Sequence, residues 1–172
     1  HLCAAGLAFL LIVDTNRLLR GSGYYAGQPE PDLRQWLDLV ALGTVCDMVP
    51  LEGVNRAFVA QGLKIMARRG NAGLAAIADA AGLRRPPSAR DLGFAIGPRI
   101  NAGGRIGQAD LGARLLSCDD PAEAALLAAR LHALNRERQE IEQAVWAAAA
   151  GGVGDDAATA PLMWAAGEGW HP

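Results

Sequence analysis

A mostly helical fold is what this sequence predicts, and three observations predict it. Hydrophobic residues make up 51% of the chain, much of that alanine, while aromatics are only 5%; alanine favours helix and lets helices approach closely. Several stretches place apolar residues at i, i+3, i+4 and i+7, the signature of one buried helix face. Helix-start signals stand at the right places, above all Asp120-Pro121, an Asp at the cap followed by Pro at the first helical position.

Taken in order, Cys3 to Arg20 reads as a helix. It is apolar on nearly every side up to Asp14, so a buried position is expected. Gly21 to Glu30 carries Gly21, Gly23, Gly27 and Pro29 and reads as a loop. Pro31 suits the first turn of a helix running to about Leu42, with Leu33, Trp36, Leu37 and Val40 on one face. Gly43 is expected to end it. The segment from Thr44 to Pro50 then reads as a loop or short extended piece. Glu52 to Arg69 predicts an amphipathic helix with Phe58, Val59, Leu63 and Met66 inward, and Asn71 to Ala81 a shorter one. Ser88-Ala89-Arg90-Asp91 fits a capping box. Gly97 to Gly107 holds four glycines and a proline, so the expectation there is irregular structure. Ala109 to Cys118 is helical again, and Pro121 to about Ala150 predicts one helix of roughly 45 Å. In that helix Leu127, Leu134 and Ile141 recur every seventh residue, and Arg138 interrupts the stripe. A coiled-coil seam is one reading; a spine packed along its own protein fits the interruption better. Gly151 to Ala158 is a break, and Leu162 to Ala166 reads as a strand opening a second domain.

Charge and cysteine bound the function classes. The net charge is −2, without the basic surplus common in nucleic-acid binders, so any contact with DNA must rest on locally placed cations. Lys64 is the sole lysine beside many arginines. Arginine suits bidentate phosphate contacts, though a GC-rich genome produces the same bias. Cys3, Cys46 and Cys118 are odd in number and far apart, with no CxxC, against a zinc site or a disulfide scaffold and in keeping with a reducing cytoplasm. The apolar run Leu2–Val13 is too short to span a bilayer, so no membrane association is expected. Starting at His1 and stopping at Pro172, the sequence reads as a piece of a longer protein.

Three places could carry chemistry. Asp47 stands among apolar residues, and a buried charge is costly unless paired or bound to a metal; capping of the next segment or an arginine pair would serve equally. The run Gly97-Pro98-Arg99-Ile100-Asn101-Ala102-Gly103-Gly104-Arg105-Ile106-Gly107 places two arginines and an amide among glycines, a plausible phosphate grip. It is neither a P-loop nor a Rossmann turn, and its arginines could equally cap helix ends. Trp170-His171 is a weaker third candidate, and His132 is expected to be solvated.

The order of these segments resembles RecJ-type exonucleases of the DHH phosphoesterase family. Residues 2–11 resemble the helix after the family's Asp-His-His motif. Trp36–Leu51 resembles its fourth motif, Gly97–Ile106 its Pro-Arg-Ile-Asn-Ala-x-Gly-Arg signature, and Gly169–Pro172 the opening of the DHHA1 domain. The resemblance implies a mostly α fragment: the C-terminal part of an α/β DHH domain at 1–118, a long connecting helix at 119–150, and a linker with the first DHHA1 strand at 151–172. It implies 5′→3′ hydrolysis of single-stranded DNA in repair and recombination, with Mn²⁺ or Mg²⁺ in a two-metal site. Asp47 would be a catalytic metal ligand, while Arg99, Asn101, Arg105 and His171 would contact the nucleic acid. A helicase or single-strand-binding protein is the implied partner, and the cytoplasm the implied location. The other ligands, including Asp-His-His, do not occur in this chain, so the fragment is expected to be inactive by itself. The competing readings are a phosphoesterase on short oligonucleotides or cyclic dinucleotides, and a non-catalytic helical interaction module.

Overall fold

The computed structural model describes residues 1–152 and 164–170. Among these there is no strand. The elements are α1 (Ala4–Gly21), a 3₁₀ turn (Leu33–Trp36), α2 (Leu37–Cys46), α3 (Gly53–Met66), α4 (Ala72–Ala80), α5 (Ala89–Asp91), a π turn (Leu92–Ile96), α6 (Gly97–Ile106), α7 (Leu111–Leu116) and α8 (Pro121–Gly152). None of the helices is long and apolar enough to cross a membrane. His171 lies outside the described residues, as do residues 162–163 of the expected strand, and Trp164–Ala166 take no regular structure.

The core is built where α4, α6 and α7 meet the first half of α8. Ile77, Leu92, Ile96, Leu115, Leu131 and Leu134 are all but fully buried there. A smaller cluster of Phe9, Leu37, Val40 and Phe58 joins α1 to α2 and α3, and Phe9 meets Phe58 edge-on with ring centroids 5.6 Å apart. The expected inward residues of α3 behave as their spacing requires, with Phe58, Val59 and Met66 buried. The capping box is formed: the Ser88 side chain accepts from the Asp91 N–H while the Asp91 carboxylate accepts from the Ser88 N–H.

Three expectations are corrected, the first two by tertiary contact overriding local signals. Gly43 does not end its helix, because α2 runs on to Cys46. A Cβ at Gly43 would lie 2.7 Å from that of Ala5, so this glycine lets α1 cross α2 closely. The run 97–107 is not irregular: Gly97–Ile106 is helical and continues from α5 through the π turn. Gly97, Gly103 and Gly107 serve close approach rather than looping. A Cβ at Gly97 would meet Cys46 Sγ at 2.5 Å, and one at Gly107 would meet Leu134 at 2.6 Å. A helical glycine costs roughly 0.5–1 kcal/mol against alanine, which close packing offsets. The π turn has a local cause. Pro98 has no N–H to donate to the carbonyl four residues back, and just before it the Gly97 N–H donates to Leu92 O, five back. Finally, α1 is not buried all round, since Leu7, Leu10, Leu11, Ile12, Val13 and Leu18 remain exposed among the described residues.

Candidate nucleic-acid interface

Helix α6 sorts the polar residues of the glycine-rich run by face. Gly97, Pro98, Asn101 and Arg105 follow helical spacing and line one side of a cleft of about 230 Å³. Cys46 and Gly93 line it as well, and α8 contributes Arg138 and Glu142. Asn101 and Arg105 are both exposed, so one amide and one guanidinium stand free to meet a ligand.

Arg99 is turned elsewhere. Two residues from Gly97, it lies about 200° around the helix from that glycine. Its Nε donates to His132 Nδ1 at 3.1 Å, and its Nη1 donates to the Ala95 carbonyl at 2.7 Å. That carbonyl belongs to the π turn, where the widened ladder leaves acceptors for a side chain. Burial lowers the pKa of Arg99 below the usual guanidinium value. His132 is half-buried rather than solvated. Burial first, then the charges of Arg99 and Arg136, lower its pKa, and an Nδ1 that accepts a hydrogen bond must carry no proton. The structure therefore brings Asn101 and Arg105 together and sets Arg99 apart, as a brace between α6 and α8.

Asp47 caps α2, its N–H donating to Gly43 O at 3.0 Å. It directly follows Cys46, which lines the cleft, and is not itself one of the lining residues. It is exposed, not surrounded by apolar side chains as its sequence neighbours suggest. No ion pair engages it among the described residues. The buried acid of this segment is Asp38, in the first turn of α2. Its Oδ1 accepts from the Leu39 N–H at 2.7 Å, and desolvation raises its pKa. The desolvation argument made for Asp47 applies to Asp38 instead.

Sequence reasoning missed Arg138 and Glu142 as cleft residues. The signal was present: a charged residue inside the apolar stripe of α8 must face something polar. No group of three His, Cys, Asp or Glu residues that could hold a metal ion exists among the described residues.

Fold and cleft together define a helical segment with an arginine-lined groove, and comparison places that segment. No family model matches the chain. It is 46% identical over 149 residues to the single-stranded-DNA-specific exonuclease RecJ of Dickeya dadantii, covering 82% of this chain and 25% of that protein. It is 41% identical over 141 residues to the RecJ of Thermus thermophilus, covering 82% of this chain and 20% of that protein. The crystal structure of the Thermus thermophilus RecJ in complex with Mn²⁺ superposes with a TM-score of 0.67 at 38% identity, over 78% of this chain and 20% of that one. A crystal structure of exonuclease RecJ bound to manganese gives a TM-score of 0.65 at 41% identity, over 81% of this chain and 34% of that one. In sequence and in fold the chain is a relative of RecJ, and it spans about a quarter of the length of the curated relatives it matches.

Proposed function

We propose that this chain is part of a metal-dependent 5′→3′ exonuclease that hydrolyses phosphodiester bonds of single-stranded DNA in repair and recombination. The observation that carries the reading is the α6–α8 cleft. It gathers Asn101, Arg105 and Arg138 with Cys46, the residue directly before Asp47, in a chain whose relatives are named as single-stranded-DNA-specific exonucleases. In this reading residues 1–118 are the C-terminal part of a DHH phosphoesterase domain, 119–150 the connecting helix, and 151–172 a linker and the start of a DHHA1 domain. The enzyme works in the cytoplasm on strands supplied by a helicase or cleared of a single-strand-binding protein.

The work of this chain's own residues is to hold the strand. The Arg105 guanidinium and the Asn101 amide are donors suited to phosphate oxygens, and arginine can engage two oxygens of one phosphate at once. Asp47 supplies one carboxylate toward Mn²⁺ or Mg²⁺, ions that favour oxygen ligands. The remaining ligands come from the three quarters of the relatives' length that this chain does not match, and no catalytic step is completed within it.

Two experiments test this. Purified alone, the chain shows no Mn²⁺-dependent degradation of single-stranded DNA. In the full-length protein, Asp47→Asn abolishes degradation while strand affinity stays within about twofold, an interval of roughly 0.4 kcal/mol. Turnover by the isolated chain that disappears with Asp47→Ala would contradict the reading.

A further inference from the structure

Two ion pairs of the same spacing and order stand on α8 and differ in setting. Arg136 and Glu140 lie 3.9 Å apart, with side chains 68% and 70% exposed, an ordinary surface pair of little energetic weight. Arg138, by contrast, is only 21% exposed, and it is paired with a Glu142 that is 63% exposed. Arg138 Nη1 donates to Glu142 Oε1. Arginine before glutamate is the weaker orientation for stabilising a helix, so helix support does not account for holding this arginine in the cleft. Two guanidinium groups and one amide line the cleft together with a single acid, Glu142. This is a local positive surplus in a chain of net charge −2.

The partners are unequal in a way that suggests exchange. The Arg138 side chain is mostly sheltered, and a sheltered guanidinium is screened less than a surface one. Glu142 can swing into water at little cost. One turn before Arg138, at the spacing that shares a helix face, Asn135 is buried and its Oδ1 has no hydrogen-bond partner among the described residues. The α6-facing side of α8 thus carries polar groups that the packing alone does not use.

We propose that Glu142 is a displaceable counterion. It occupies Arg138 while the cleft is empty, and a phosphate of the bound strand takes its place, making Arg138 a second guanidinium grip opposite Arg105. This rests on the reading of the cleft as the strand's seat. It adds an assignment for both α8 residues and a sign for their substitution: loss of the glutamate tightens binding.

The experiment measures anisotropy of a labelled oligo-dT with the full-length protein in Mn²⁺-free buffer, with inorganic pyrophosphate as a base-free competitor. Glu142→Gln is expected to tighten the strand about threefold. Arg138→Gln is expected to weaken it roughly tenfold and to lower the slope of log affinity against log salt by about 0.7, one phosphate contact on a single strand. Arg138→Lys should keep most of the slope and lose part of the affinity. In the Arg138→Gln background, Glu142→Gln should gain less than in the parent, because the released partner is gone. Pyrophosphate should follow the same order, since the exchange involves phosphate and not bases. Weaker or unchanged binding by Glu142→Gln overturns the proposal. So does an equal gain in both backgrounds, which would be general repulsion. If Arg138→Gln fails to fold, Glu142→Gln and Arg138→Lys still decide. Arg105→Gln, measured alongside, separates the two levels. No loss there sinks the strand's seat itself, while a loss there without the Glu142→Gln gain sinks the exchange alone.

Discussion

From Pro121 to Asn135, α8 buries Ala124, Leu127, Ala128, Leu131 and Leu134 against α4, α6 and α7. Beyond Arg136 the apolar spacing continues through Ile141 and Val145, yet Ile141 is 42% exposed and Trp146 75%. One helix with one pattern thus has a half that holds the fold and a half that walls a cleft. The difference teaches that periodicity specifies a face, whereas burial needs a partner to cover it. The partners here end at α6. Just past that edge stand Arg138 and Glu142, where a charged side chain is half-sheltered without being sealed off.

The contrast can be broken or sharpened by substitution. The largest effect is expected in the first half. Leu131 is fully buried, and Leu131→Ala should cost about 2–5 kcal/mol in denaturant unfolding of the chain; a loss under about 1 kcal/mol would deny that this half is the spine of the core. Next comes the seam between α2 and α6. Gly97→Val must displace Cys46 Sγ, 2.5 Å from the new Cβ, and the Leu92 carbonyl at 2.8 Å. It should cost about 1–3 kcal/mol and weaken strand binding as well, because Cys46 and Gly97 both line the cleft. Smallest is Ile141→Gln in the bare half, within about 0.5 kcal/mol of the parent. A large loss there would mean that this half is covered after all.

The brace between α6 and α8 should be sensitive to pH. The folded-state pKa of His132 is lowered, so the unfolded chain binds its proton more readily. The stability linked to this residue is therefore present above the unfolded value of about 6.5 and is lost as pH falls through the lower folded value. Thermal midpoints between about pH 7.5 and 5, a range that brackets the unfolded value, should fall less for His132→Gln than for the parent. An identical slope in both would show that the Arg99–His132 contact does not depend on the proton.

How much of this was legible in the sequence depended on how local the cause was. The cap at Ser88 and the start of α8 at Asp120-Pro121 are set by neighbouring atoms, and both could be read directly. The α6 helix could not, because its glycines cost helix stability locally and are repaid by Cys46 and Leu134, contributed by α2 and α8. With α6 taken for a loop, its periodicity was hidden as well. Asn101 and Arg105 were singled out by residue type, but nothing separated them from Arg99 until the helix put Arg99 on another face. Asp47 was singled out for a reason that belongs to Asp38, since apolar neighbours in sequence do not show which acid the packing desolvates. Arg138 left a visible trace, a charge in an apolar stripe, whose meaning needed the opposite wall.

The most direct test compares the two arginines of α6 within the full-length protein. Salt titrations of single-stranded-DNA binding should show that Arg105→Gln lowers affinity roughly tenfold, about 1.4 kcal/mol, and flattens the salt slope by about 0.7, with an unchanged thermal midpoint. Arg99→Gln should lower the thermal midpoint and leave the slope as it was. The reverse result, a slope that follows Arg99 while Arg105 proves indifferent to DNA, would contradict the assignment of the α6–α8 cleft.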